Sequence, residues 1–252
     1  MNGIGESASG GPSAVVSVRS LLEQVAAVDH VKHLAGEVKS FQELLQPANL
    51  DRLAKASPGG LAYLAFHPTA DSAIADYIKG GSLASDSGRG VLVLFTTSVQ
   101  VWSTTSSDDP ALFTPPPAGG IPGLTVDAGI HPSYEMIRLL FEPKPPPPLP
   151  GIALFKDFSA DSDVVFASLA EDDTSFKVTQ SLRKIFAIVE SVGVPQTASK
   201  FADAVSVALQ QQRIPHQQSG GTSVREWFVR SYQFLWDNKS DIVAVAGLIP
   251  LK

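Results

Sequence analysis

Five consecutive apolar residues, Val91-Leu92-Val93-Leu94-Phe95, stand between Gly90 and Thr96. A strand with one face in water alternates polar and apolar side chains. This run does not alternate, so both of its faces must be covered. Such coverage requires packed layers on either side of a sheet.

The residues upstream supply a partner strand and a crossover. Leu61-Ala-Tyr-Leu-Ala-Phe66 follows the turn Ser57-Pro-Gly-Gly60 and reads as a first strand. His67-Pro-Thr-Ala70 comes next, then a helix from about Asp71 to Lys79, with Thr69 as its N-cap and Gly80-Gly81 at its end. Ala73, Ile74 and Ile78 would face the sheet, with Tyr77 at the edge of that face. A polar loop over 82–89 returns the chain to Val91. Strand, helix and buried strand make a β-α-β unit, which is parallel and right-handed in nearly all proteins.

Around this unit the pattern is helical at first. Leu21, Leu22, Val25, Val28, Val31 and Leu34 recur at three- and four-residue steps behind a Ser17 cap, and Val38 to Leu45 continues them. Residues 1–13 are small and polar and are expected to be disordered. Thr97 to Trp102 either extends the second strand or folds back on it. Residues 104–122 form a long Ser/Asp/Pro/Gly loop, 124–126 a short edge strand, and Ser133 to Phe141 a helix with Ile137, Leu139 and Leu140 inward. Pro143-Lys-Pro-Pro-Pro-Pro-Leu-Pro150 has polyproline composition and reads as a stiff linker between residues 14–142 and 151–252.

The second part opens with two strands, Ile152–Phe155 and Val164–Leu169, joined as a hairpin by Asp157 to Asp163. Thr174 caps a helix to Val192 whose stripe is Phe176, Val178, Leu182, Ile185, Phe186 and Val189. A second helix spans Ser199 to Gln212. A polar linker follows, and a third helix starts near Ser223. The expected class is α/β or α+β, a mixed sheet with a βαβ unit first and a hairpin plus three helices second.

Charged residues make up 17% of the chain, below the usual ~25%. A weakly charged surface fits a face covered by a protein partner or a second copy. Net charge is −6 and the 19 basic residues are scattered, so nucleic acid is not expected as a partner. Cysteine is absent, which excludes disulfides, thiolate metal sites and a thiol nucleophile. Residues 1–13 carry no secretory-signal pattern. No window reaches the ~18 apolar residues of a membrane span. The C-terminal run Ile242–Leu251 reads as a buried tail. A cytoplasmic location is expected, and no cofactor.

Three places invite chemistry. His67 ends the first strand and Thr96 ends the second, where open α/β sheets bind ligands. With Asp71, or with Asp86, a Thr/Ser-His-Asp arrangement can be drawn there, although no GxSxG elbow supports it. Asp157, Asp161 and Asp163 are spaced like oxygen ligands of a cation, but the position a calcium loop gives to glycine is Ser162 and Ser168 replaces its glutamate. Asp side chains bonding their own turn explain the loop equally well. Asp29, His30 and His33 share a helix face but lack a further ligand. The third helix carries Trp227, Phe228, Tyr232, Phe234 and Trp236 around its circumference, which fits a core helix or an interface. The expected function is a non-enzymatic interaction or assembly protein, an accessory subunit of a larger complex. The alternative is a small-molecule or phosphoester-type enzyme working near His67 and Thr96, or with a cation at Asp157–Asp163.

Overall fold

The structure, a computed structural model, describes residues 15–19, 21–22, 45–55, 57, 59–88, 90–98, 131–142, 144–159, 162–192, 197–219, 223–237 and 240–245. Among them are seven strands: β1 (Val15–Ser17), β2 (Gly60–Ala65), β3 (Val91–Ser98), β4 (Gly151–Phe155), β5 (Val165–Ser168), β6 (His216–Gln218) and β7 (Ser240–Val245). They form one sheet in the order β1-β7-β3-β2-β4-β5-β6. Among these strands only β2 and β3 run parallel, with Tyr63 opposite Leu94; the other neighbours are antiparallel. The helices are α1 (Pro47–Lys55), α2 (Ser72–Lys79), α3 (Leu83–Asp86), α4 (Pro132–Phe141), α5 (Ser175–Val192), α6 (Ala198–Gln211) and α7 (Val224–Asp237). The fold is a mixed sheet with helices on both sides, within the expected α/β or α+β class.

Strand periodicity sorts the core into two halves. Leu61, Tyr63, Leu92, Leu94, Ala153 and Phe155 share a cluster with α1, α4 and α7. Ala62, Leu64, Val91, Val93, Phe95, Ile152 and Leu154 share the other with α2, α3, α5 and α6. Val93, Leu94 and Phe95 are 0% exposed, as the unbroken apolar run requires. Each contributes about 1.5–3 kcal/mol by leaving water. At the start of the parallel pair, Gly59 N donates to Gly90 O at 2.8 Å. A Cβ on Gly59 would stand 2.7 Å from that oxygen, so the approach needs glycine.

The proline segment does not separate the chain into two sheets. β2 pairs with β4 from Leu61 opposite Phe155 to Ala65 opposite Gly151. The segment itself is fastened down: Pro147 is buried, and Ser168 Oγ donates to Pro148 O at 2.9 Å. Its composition reads as a stiff linker; the hydrogen bond and the burial fasten that linker at the end of β5.

Several other expectations need correction. The 82–89 loop contains α3, whose Asp86 accepts from Tyr77 Oη at 3.0 Å and from Arg183 Nε at 2.8 Å, tying α3 to α5. Asp86 is therefore no partner of His67. The polar linker contains β6, which pairs with β5 at the sheet's edge. Half-buried edge positions tolerate His and Gln, so apolar periodicity could not flag them. Asp71, not Thr69, holds the N-cap position of α2. Phe176 is 68% exposed, and the buried stripe of α5 begins at Val178. Residues 242–245 of the expected tail belong to β7, inserted between β3 and β1.

The aromatic helix α7 is spent on the core of this chain. Trp227, Phe228 and Tyr232 are buried, and Phe234 packs against the same cluster half-covered. The Trp227 ring meets Phe155 edge-on at 5.8 Å, and its Nε1 donates to Met136 O at 2.6 Å. Those rings pack inward, as a core helix rather than the interface that was the other expectation there; the Trp236 side chain lies outside the described residues. So do Asp29, His30, His33, residues 23–44 of the helical stretch expected from Ser17 to Leu45, and the loop and strand expected over 104–126. Among the described residues no helix is long and apolar enough to cross a membrane.

Candidate functional site

β2 ends at Ala65 and the chain turns sharply through His67 and Pro68 into α2. Two amides of the turn, Thr69 N and Ala70 N, donate to His67 Nδ1 at 3.1 and 3.2 Å. His67 N donates to Asp71 Oδ2 at 2.6 Å, and Asp71 N returns to His67 O at 2.8 Å. The loop is thus closed by side chains where Pro68 cannot donate.

A similar arrangement begins α4. His131 is its N-cap and accepts from Ser133 N through Nδ1 at 3.3 Å, with Pro132 in the first helical turn. Proline suits that position because its missing N–H would have no helical partner there. Ser133 Oγ, fully buried, accepts from Phe66 N at 3.2 Å and from Tyr63 Oη at 3.0 Å. These two bonds dock the start of α4 onto the carboxyl end of β2.

The two turns meet. The rings of His67 and His131 lie 4.6 Å apart, inclined by 52°. Tyr134 stands beside both, at 6.5 Å from His67 and 6.3 Å from His131, and its hydroxyl donates to Asp71 Oδ2. Since His67 Nδ1 accepts from two backbone amides and His131 Nδ1 from one, each neutral imidazole carries its hydrogen on Nε2. Burial, with His67 adding to it, pushes His131 down to about 4 against the pull of Asp71. Burial and the bond to Asp71 push the Tyr134 phenol up. At neutral pH His131 is an uncharged N–H donor rather than a cation.

His67 and Asp71 are therefore together, as expected. Thr96 is not with them. It is buried, and its hydroxyl faces Tyr63, whose phenol is pushed up by burial. No hydrogen bond joins Thr96 to His67 among the described residues, so the drawn Thr-His-Asp arrangement does not form. His131 and Tyr134 were missed, yet a signal existed: His67-Pro-Thr-Ala-Asp71 and His131-Pro-Ser-Tyr-Glu135 share His-Pro-hydroxyl-x-acid at the entry to a helix. The second acid differs in use, since Glu135 binds Arg138.

The acidic loop shows turn chemistry. Asp157 Oδ1 accepts from Ser159 N at 2.9 Å, and Asp161 lies outside the described residues. Among the described residues no group of three or more His, Asp or Glu is placed to hold a metal ion. A cleft of about 340 Å³ opens at the other end of β2, lined by Asp51, Lys55, Ser57, Lys156, Asp157 and Ser159 among others. Burial lowers the Lys156 ammonium and Asp157 raises it, while its Nζ lies 5.8 Å from the centre of the Phe201 ring. No protein-family model matches this chain, and neither a curated protein nor a solved structure matches it.

Proposed function

We propose that this protein binds a small ligand bearing an anionic oxygen, a phosphoryl or carboxylate group, between His67 and His131. One observation carries the reading: two adjacent imidazoles have their δ nitrogens occupied by backbone amides, leaving two oriented Nε2–H donors. Donors held in place by their backbone cost little to order when a ligand arrives. The amino ends of α2 and α4 converge there, and helix amino ends favour negative charge. Asp71 Oδ2 is held by the Tyr134 hydroxyl and the His67 amide. The location, beyond the carboxyl end of a parallel strand, is where open sheets place ligands. Thr96 has no part in this reading, and neither does the acidic loop.

Asparagine separates the donor from the cap. Asn accepts turn amides as well as the imidazole does but lacks the Nε2–H. Thermal denaturation with inorganic phosphate, phenyl phosphate and acetate tests the proposal, since a ligand that binds only the native state raises the melting temperature. The expected result is a dose-dependent rise with at least one probe that disappears in His67→Asn and in His131→Asn. No rise with any probe, or a rise that survives both substitutions, defeats it.

A further inference from the structure

A serine within a helix usually returns its hydroxyl to the carbonyl one turn back. Thr179 does so, donating to Ser175 O at 2.6 Å. Ser206, in the middle of α6, does not. Its Oγ lies 2.9 Å from His216 Nε2, and His216 Nδ1 lies 2.9 Å from Ile214 O. A carbonyl can only accept, so Nδ1 carries the hydrogen and Nε2 offers its lone pair to the Ser206 hydroxyl. This is the opposite tautomer to that of His67 and His131.

The chain builds the pair with a specific turn. Ile214 N donates to Leu209 O and Arg213 N to Gln210 O, each at 3.0 Å, which closes α6 as a Schellman motif. Arg213 occupies its left-handed position at φ 57°, where glycine is usual. That reversal sends the chain back along α6 into β6, with His216 opposite Ala167 of β5. Ser206 and His216 are each partly exposed.

A nucleophile bonded to a base, and a base oriented by a third group, is the arrangement that activates a serine. We infer that Ser206 is an acyl-accepting nucleophile, with His216 as its general base and Ile214 O as the orienting group, toward small activated esters. Ser206 Oγ attacks the ester carbonyl carbon as its proton passes to His216 Nε2. The carbon–oxygen bond to the alcohol then breaks, and His216 returns the proton to the leaving oxygen. Water, deprotonated by His216, attacks the acyl-serine, and the proton goes back to Ser206 Oγ. The net change is ester plus water to acid plus alcohol. The site lies on α6 and β6, apart from His67 and His131, so either proposal can fail alone.

The test is covalent labelling of the full chain by a fluorophosphonate, read by peptide mass spectrometry, with p-nitrophenyl acetate turnover alongside. One adduct on Ser206 is expected, absent in Ser206→Ala and slowed about a hundredfold in His216→Gln, the scale of general-base assistance. Ser206→Cys gives a second readout that survives if His216→Gln misfolds. Its thiol should be alkylated by iodoacetamide at least about tenfold faster than free cysteine, as base-paired thiols are. An unlabelled wild-type Ser206, labelling at the wild-type rate in a correctly folded His216→Gln, or an unreactive thiol in the Ser206→Cys variant overturns the inference.

Discussion

Tyr63 and Ser133, far apart in sequence, share a buried hydrogen bond of 3.0 Å that joins the centre of the sheet to the first turn of α4. Ser133 Oγ also takes the Phe66 amide. Ser133→Ala leaves a buried hydroxyl and a buried amide without that partner, at about 1–3 kcal/mol for each. Chemical denaturation should show a loss of about 3 kcal/mol. Tyr63→Phe removes only one member and leaves Ser133 Oγ its amide, so a loss nearer about 1 kcal/mol is expected.

His131 makes stability depend on acidity. Its folded value, about 4, is below the ordinary 6.5, so the unfolded chain binds the proton more readily. Its contribution is complete above pH 6.5 and is lost as pH falls toward 4. The full shift corresponds to about 3 kcal/mol. Partial exposure of the ring screens this to about 2 kcal/mol. Denaturant midpoints measured across that window should fall with pH, and the slope should flatten in His131→Asn.

Gly151 begins β4 with no room for a side chain. A Cβ there would stand 2.3 Å from Phe166 Cζ and 2.5 Å from Ala167 O. The phenyl ring is fully buried and the oxygen is backbone, so neither yields cheaply. Gly151→Ala should cost about 3 kcal/mol or more, at the upper end of overpacking effects. Thermal melting would register it; an unchanged midpoint would mean that β4 and β5 can separate.

Phe176 and Phe186 lie on one helix and behave oppositely. Phe176 is 68% exposed and Phe186 is 2% exposed. Phe176→Ala should change stability by less than about 0.5 kcal/mol. Phe186→Ala should cost about 3–5 kcal/mol, the range for emptying a buried phenyl site. Paired denaturation curves of the two variants check the contrast.

The elements that sequence revealed are those whose burial is one-dimensional. Val91–Phe95 announces a two-sided interior strand because every residue in it is apolar. Val178, Leu182, Ile185 and Val189 announce a helix face by spacing alone. What stayed hidden depends on pairing between distant segments. β6 has no apolar residue, and only the ladder to Val165, Phe166 and Ala167 makes it a strand. Trp227 could face a partner or its own core until Met136 O and the Phe155 ring are placed beside it. For the candidate site, His67 and Asp71 were legible because they border one strand. His131 enters from a separate helix, and nothing in local spacing says that the two turns touch. Thr96 ends the neighbouring strand, but its side chain serves the buried cluster with Tyr63 rather than the strand-end crevice.

β7 fills the gap between β3 and β1, pairing with β3 from Val93 through Ser98. While a ribosome is still synthesising residues before 245, β3 has no neighbour on that side and its most apolar stretch is an open edge. Unpaired hydrophobic edges recruit other chains. A nascent polypeptide halted ahead of β7 is therefore a sticky intermediate awaiting its keystone, and chaperone capture should peak just before that strand emerges.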